Sequence, residues 1–472
     1  MTPEHQQSSP RLFAITWPIF SEHLLQALVG LLFVWLTAHI SDGTAAAFGL
    51  SNQLMITFVI LFRIVGMGAS VVVTQYLGAG DRAGAERVAR ASLGAALWLG
   101  VIVALGVAFG AGALLTLMKL PEALRPEAEP YLVLLGAVLL LESLITTMGS
   151  VLRAYTHTRQ AMRVVLFMNG LGLALGLPLM YGWLGLPRLG LVGVGTGLLL
   201  SRVWTLASYV ALYRQLLGIP LSWADFSRLH RGSLAEVMHI GLPGAGENFA
   251  YRVSFTMVLA LVANMGQAAL VAHTYLLQVS HFVLLAGLAV GFGTEIVVGH
   301  LVGAGRFSNA DRLVRRALTL GLATSLSLGL CVGLCGRTIF RFFTDDPAII
   351  ESGAKLLWLV ALLEPGRTFN LVVINGLRAT GDARFPVMYG AFSMYLVAFG
   401  LSWLLGAEWG HGLAGVWLAL AADEWLRGLS MYVRWRRRSW VKHARRVRRR
   451  ILTQRPRAAA SAPEAEPVLS GA

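Results

Sequence analysis

Several residues carry charge where this sequence offers the least water. Glu22, Arg63, Glu142, Glu247, Glu364 and Arg367 all fall inside long apolar runs. An ionisable side chain in hydrocarbon is costly, so its retention there points to the handling of ions or protons. Glu22 follows Pro18 by four residues, and Glu247 follows Pro243 by four. A proline inside a helix removes one backbone hydrogen bond and leaves a carbonyl free. A carboxylate one turn later shares a polar pocket with such carbonyls, a donor set suited to Na+ or a proton. Asn248 stands beside Glu247. The other reading of these residues is a pair of helix starts at the cytoplasmic interface, each with its proline in the first turn. In Glu364-Pro365-Gly366-Arg367 the acid and the guanidinium lie three residues apart, on one helix face. Either that pair closes on itself, or Arg367 holds a coupling carboxylate such as Glu247. The expected cation-coupling set is Glu247, Glu364, Arg367, Asn248 and Glu22, with Glu247 and Glu364 as the ligands if the ion is Na+. Expected pairings are Glu22 with Arg63, and Glu247 with Arg252 or Arg367. His23, His39, His273, His281 and His300 read as hydrogen-bonded interior or interface residues, with a proton relay as the alternative. Asp423-Glu424 either faces a cavity or pairs with Arg427. Cys331 and Cys335, four apart in an apolar run, have no zinc or redox spacing and read as small helix-core residues.

The elements that position these residues follow from composition. The chain has 472 residues, 56% hydrophobic and 13% charged, with a mean hydropathy of +0.65. A soluble domain carries roughly 25% charged residues, so a cytosolic enzyme is excluded. The hydrocarbon core is about 30 Å thick, and a spanning helix needs about 20 apolar residues. Runs of that kind lie near 14–40, 46–77, 91–118, 131–152, 164–186, 190–213, 237–264, 269–302, 317–343, 354–377, 386–406 and 412–433, which predicts twelve spans. The N-terminal residues 1–10 are polar and resemble no cleavable signal. The longest polar connection, 213–236, holds neither a catalytic loop nor a metal constellation, so an enzyme is not expected.

Charge in the connections sets the orientation. The even-numbered connections carry fifteen Arg, and the odd-numbered ones carry only Lys119, Arg125 and Arg188. By the positive-inside rule both termini face the cytoplasm, as expected of a multi-pass protein of a bacterial inner membrane. The net charge of +15 comes mostly from the tail, where residues 434–457 include twelve Lys or Arg and no acid. A basic run beside the aromatic edge Trp425, Tyr432 and Trp435 reads as an anchor to anionic lipid headgroups rather than to nucleic acid. Beyond Pro456 the tail reads as disordered.

The chain also repeats. Slid by 225 residues, Pro18 falls on Pro243, Glu22 on Glu247, Gln53 on Gln278, Gly66 and Gly68 on Gly291 and Gly293, and Gly78-Ala79-Gly80 on Gly303-Ala304-Gly305. Leu152-Arg153-Ala154 falls on Leu377-Arg378-Ala379. Later the offset becomes 222, bringing Gly190 and Gly193 onto Gly412 and Gly415. The Gly-Ala-Gly segments read as helix-ending turns in which glycine supplies positive φ. Each half holds six spans, so both enter the membrane in the same direction. The expected fold is all-α and integral to the membrane, with twelve transmembrane helices in two pseudo-symmetric six-helix lobes, a transporter architecture. The lobes are expected at 1–213 and 237–433, joined by a cytoplasmic linker at 214–236 and followed by the basic tail at 434–472. Alignment of Arg367 with Glu142 puts opposite charges at equivalent positions. The expected substrate cavity is lined by Glu142, Arg63, Gln53, Gln278, Tyr251 and Asn370.

Taken together, the two six-span halves, the Gly-Ala-Gly turns, Gly241-Leu242-Pro243, His273 with Gln278, and Leu377-Arg378-Ala379-Thr380-Gly381-Asp382 resemble the multidrug and toxic compound extrusion (MATE) transporters. Trp17-Pro18-Ile19-Phe20 with Glu22, Ser41-Asp42, Asn52-Gln53, Glu247-Asn248 and the 364–367 motif resemble one bacterial branch. The resemblance covers about residues 11–435. It implies an exporter of organic cations and other amphipathic molecules, driven by inward flow of Na+ or H+, acting as a monomer by alternating access between two lobes. Many members carry a coupling Asp in the first span, and the aligned residue here is Phe33. In the best-studied branch the seventh-span acid aligns with Tyr251, one turn after Glu247. The competing expectations are a lipid-linked saccharide flippase, which calls for a strongly basic cavity, and a non-transporting membrane scaffold.

Overall fold

A computed structural model of the chain describes residues 12–39, 42–222, 225–226 and 230–454. Twelve long helices follow one another: α1 Leu12–Ala38, α2 Asp42–Gly78, α3 Arg82–Leu117, α4 Arg125–Ala154, α5 Thr158–Tyr181, α6 Gly190–Leu212, α7 Arg231–Ala263, α8 Gln267–Gly303, α9 Phe307–Leu334, α10 Pro347–Ala379, α11 Arg384–Glu408 and α12 Gly412–Arg436. No strand occurs among the described residues. Helices satisfy every backbone group internally, which is what a lipid solvent demands. Ten are long and apolar enough to cross a membrane. The other two, α7 and α12, carry Glu236, Glu247 and Arg252, and Asp423, Glu424 and Arg427.

The described residues form two units. One contains 12–20, 74–81 and 243–454; the other contains 21–73 and 82–242. The cuts in α1 and α7 fall close to Pro18 and at Pro243, the prolines inside those helices. Each unit has its own core. Phe33, Phe48, Tyr131, Leu135 and Val194 centre one cluster. In the other unit Ile15 and Ile19 of α1 join Val297, Phe369 and Trp435.

The Gly-Ala-Gly segments do two jobs. Gly80 and Gly305 end α2 and α8 with φ of +74° and +73°, as the spacing predicts. Gly78 and Gly303 allow α2 and α8 to meet. A methyl on Gly78 would strike the His300 carbonyl, and one on Gly303 the Gln75 carbonyl. These contacts are each other's image under the 225-residue offset, so equivalent residues of the two repeats touch at this crossing.

Some elements depart from expectation. The N-terminal ends of α3 and α9 extend into the basic stretches at 82–90 and 307–316, because amphipathic turns continue a helix beyond its apolar run. Helix α7 starts at Arg231, inside the stretch expected as linker. The ninth span was expected to reach 343, but α9 stops at Leu334 and a separate short helix, Gly336–Arg341, packs Gly336 on Ala354. Cys331 and Cys335 are exposed rather than in the core, because Cys331 lies on an outward face of α9 and Cys335 lies just past its end, between α9 and the short helix. The tail also holds a helix, α13 Trp440–Gln454. It buries Trp440, Ala444 and Ile451, stacks Trp440 on Trp435 at 4.4 Å and accepts the Tyr76 hydroxyl at Gln454 Oε1, 2.7 Å away. Ser41 and the tail beyond Gln454 lie outside the described residues.

Asp225, in the connection between α6 and α7, is tied to its surroundings. Its carboxylate accepts from the Ser222 backbone N–H at 2.8 Å and from Arg90 at 3.0 Å. Partial burial pushes its pKa up, but the Ser222 and Arg90 bonds outweigh that and hold it below the ordinary carboxylate value. A depressed folded pKa contributes stability above the unfolded pKa, and that stability is lost as pH falls through the folded value. Protease cleavage between 214 and 230 is therefore expected to accelerate in the acid range, and Asp225→Asn to show the fast rate already at neutral pH. Gly303→Ala is expected to cost about 1–3 kcal/mol by overpacking. Gly106→Ala, whose added methyl has open space, is expected to be neutral or mildly stabilising; thermal unfolding in detergent compares them.

Candidate functional site

The charged residues read from the sequence are brought into pairs, by rules the repeat makes visible. In the 21–242 unit, Arg153 in the last turn of α4 donates from Nη1 to both oxygens of Glu22, 3.1 Å each. In the 243–454 unit, Arg378 in the last turn of α10 donates to Glu247. The partners are 131 residues apart in both cases. The expected pairings of Glu22 with Arg63 and of Glu247 with Arg252 or Arg367 are thus replaced. The C-terminal ends of α4 and α10, whose dipoles favour cations, supply the arginines instead.

A second duplicated pair has its polarity reversed. Arg202 Nε of α6 donates to Glu142 Oε2 of α4 at 2.9 Å. At the equivalent place Arg367 Nε of α10 donates to Glu424 Oε1 of α12 at 3.1 Å. Glu142 aligns with Arg367 at offset 225, and Arg202 with Glu424 at offset 222. Asp423 and Glu424 do both things expected of them, lining a cavity and pairing with Arg427, whereas Arg202 and the bond of Glu424 to Arg367 went unrecognised in the sequence. The signal was there, since the later offset superposes them.

The reversed pair is the centre of a larger network. Arg367 Nη1 also donates to Glu364 at 2.8 Å and to Ser280 of α8 at 3.1 Å, and the Ser280 hydroxyl bonds Glu364. Asn370 donates to Glu424 Oε2 at 3.2 Å. Arg427 bridges Glu424 and Asp423 at 2.9 and 2.8 Å, and Ser393 of α11 donates to Asp423 at 2.5 Å. Helix α11 continues past Ser393 in wide π-helical turns from Met394, and the Met394 carbonyl accepts from Ser254 of α7. Wide turns of this kind often mark functional sites.

Beside the network lies a small cavity of about 40 Å³, lined by Tyr251, His273, Arg367, Trp417, Asp423 and Glu424 among others. That volume suits one or two waters or a desolvated ion. The Trp417 indole N–H donates to His273 Nδ1 at 3.2 Å. Indole has no acceptor nitrogen, so this bond assigns the proton of the neutral ring to Nε2, a buried atom with no hydrogen-bond partner.

The remaining expected residues take other places. Asn248 donates to the Gly244 carbonyl of its own helix. Glu247 and Glu364 are held by different arginines. Gln278 lines a separate apolar cavity of about 480 Å³ with Phe20, Val279 and Phe282. Gln53 is exposed on α2. Phe33 packs on Phe48 in the core, at 6.2 Å between rings, where many family members are expected to carry an acid. Glu295 is buried, with Oε2 lacking a hydrogen-bond partner. Arg63 is exposed within α2 and lies in electrostatic reach of Arg153, Glu22 and Glu142.

If the duplicated pair fixes α4 to α6 through charge complementarity alone, its polarity is exchangeable. Glu142→Arg is expected to cost about 3–5 kcal/mol, the usual price of a broken buried pair. Glu142→Arg with Arg202→Glu is expected to recover most of it, measured by thermal unfolding of the single and double variants.

Comparison with known proteins identifies the relatives of this arrangement. The MatE family model matches residues 18–177 and 243–404, two segments whose starts repeat the 225-residue offset. The chain is 34% identical over 431 residues to "Uncharacterized transporter YisQ" of Bacillus subtilis, covering 91% of this chain and 95% of that protein. It is 25% identical over 459 residues to "Multidrug resistance protein PmpM" of Pseudomonas aeruginosa, covering 93% and 94%. Among solved structures, an outward-facing multidrug resistance MATE family transporter of the MOP superfamily superposes with a TM-score of 0.83 at 19% identity, over 92% of this chain and 96% of that one. At that identity the likeness concerns the fold.

Proposed function

The chain belongs to the MatE family, and from that premise we propose that it is a secondary active multidrug efflux transporter. Inward movement of Na+ or H+ would drive small amphipathic molecules, organic cations included, out of the cell by alternating access between lobes at 1–213 and 237–433. The relatives named as multidrug resistance proteins support the efflux reading. The proposed setting is a bacterial inner membrane with both termini cytoplasmic and the monomer as working unit. The basic face of α13 would lie on anionic headgroups, in keeping with its six Lys and Arg between 442 and 450.

One observation carries the coupling proposal. The network of Glu364, Asp423 and Glu424 with Arg367 and Arg427 sets three carboxylates against two guanidiniums. With all five ionised it holds one net negative charge beside a cavity of about 40 Å³. A single cation neutralises it, and such closely coupled acids exchange that cation as a unit. Glu364 and Arg367 are thus the proposed core of the coupling site, with Asp423, Glu424 and Asn370 completing it. Glu22 and Glu247, each bound to an arginine at the end of a neighbouring helix, would secure α1 and α7 just beyond their prolines. Asn248 would stiffen that turn.

Purified protein in liposomes, loaded with ethidium and exposed to an imposed pH or Na+ gradient, tests the proposal. Efflux is expected to follow one of the two gradients and to fall at least tenfold in Glu364→Gln. Flux indifferent to both gradients would remove the coupling assignment.

A further inference from the structure

Apart from Glu295 of α8, the carboxylates within the spanning helices named above are already occupied. Glu22, Glu142, Glu247, Glu364, Asp423 and Glu424 each hold an arginine. Arg63 differs. It lies well inside α2, is exposed, and has no ion pair or hydrogen bond among the described residues. The acids within its electrostatic reach, Glu22 and Glu142, are bound to Arg153 and Arg202. An arginine left without a counter-ion in a spanning segment is expensive, and arginines so placed face the bundle interior or water rather than lipid. The repeat sharpens the point. The structural pairs of this fold occur twice, whereas the position equivalent to Arg63 is Leu288. The fold therefore does not require a cation there.

We propose that Arg63 receives a carboxylate carried by the transported molecule, so that acidic and zwitterionic amphiphiles are the preferred substrates. This deepens the efflux reading and rests on it for the word transported. A guanidinium takes a carboxylate through two parallel hydrogen bonds, and its fixed fork selects for that geometry. On the same face of α2, one turn to either side, Val59, Ile60 and Met67 are partly accessible hydrophobics. They supply the apolar wall that the rest of an amphiphile needs. A simple organic cation finds no free carboxylate near Arg63.

Three matched fluorescent probes separate the possibilities on the full-length protein in detergent: 1-pyrenebutyrate, its methyl ester, and a pyrenylbutyl-trimethylammonium. The carboxylate is expected to bind about tenfold more tightly than the ester, as one charge-assisted bond allows. Arg63→Gln should erase that preference while leaving the ester's Kd unchanged. Arg63→Leu, which installs the residue of the second repeat, should do the same and guards against a folding defect. Equal binding of acid and ester by the unaltered protein, tighter binding of the ammonium probe, or a preference surviving in both variants would overturn the proposal. Gradient-driven flux in liposomes is scored separately. An acid preference without flux defeats the transport reading alone, and flux without the preference defeats this inference alone.

Discussion

A charge inside a membrane protein must be answered by another charge, and much of this structure is the answer. Removing one partner of a buried pair leaves an uncompensated ion, at a cost of about 3–5 kcal/mol. That asymmetry explains why each repeat pins its first helix to its fourth with the same Glu–Arg bridge, 131 residues long in both halves. It also explains why the second pair tolerates reversed polarity. Glu142–Arg202 and Arg367–Glu424 supply the same attraction between equivalent helices, α4 with α6 and α10 with α12. Once duplicated, the halves were free to diverge in everything except complementarity.

The divergence has a direction. The 21–242 unit keeps its pair isolated and adds Arg63. The 243–454 unit enlarges its pair with Glu364, Asp423 and Arg427, taking on an excess of acid. Surplus positive charge in one repeat and surplus negative charge in the other follow from the same scaffold. The first suits an acidic ligand group and the second suits a coupling cation. Hydrogen bonds from Ser280, Ser393 and Asn370 support the carboxylates, while Glu364 Oε2 and Asn370 Oδ1 stay buried without a hydrogen-bond partner, acceptor capacity of the kind a bound cation would use.

The helical fold was legible because lipid leaves few choices: apolar runs of spanning length are helices, and a constant offset is a duplication. The role of Gly80 and Gly305 was legible for a similar reason, since helix ends need positive φ. What escaped the sequence was partner choice. Arg153 and Arg378 read as loop charges, because hydropathy marks where the bilayer ends and says nothing of a helix continuing past it. Gly78 and Gly303 read as parts of a turn, since close helix crossing leaves no local mark. The tail read as a charge run, although Trp440, Ala444, Val447 and Ile451 recur at helical spacing beneath the arginines. Charge density masked a period that was present. Arg202 was findable too, had the 222-residue offset been followed to Glu424.

The central claim is that one cation occupies the acidic network and leaves when a ligand is bound. The most direct measurement is the ion released on adding a saturating ligand to purified protein, with proton release followed in weak buffer and Na+ release followed with 22Na+. The account predicts about one equivalent of one of these ions per ligand bound, and none from Glu364→Gln. Ligand binding that displaces neither ion would contradict it.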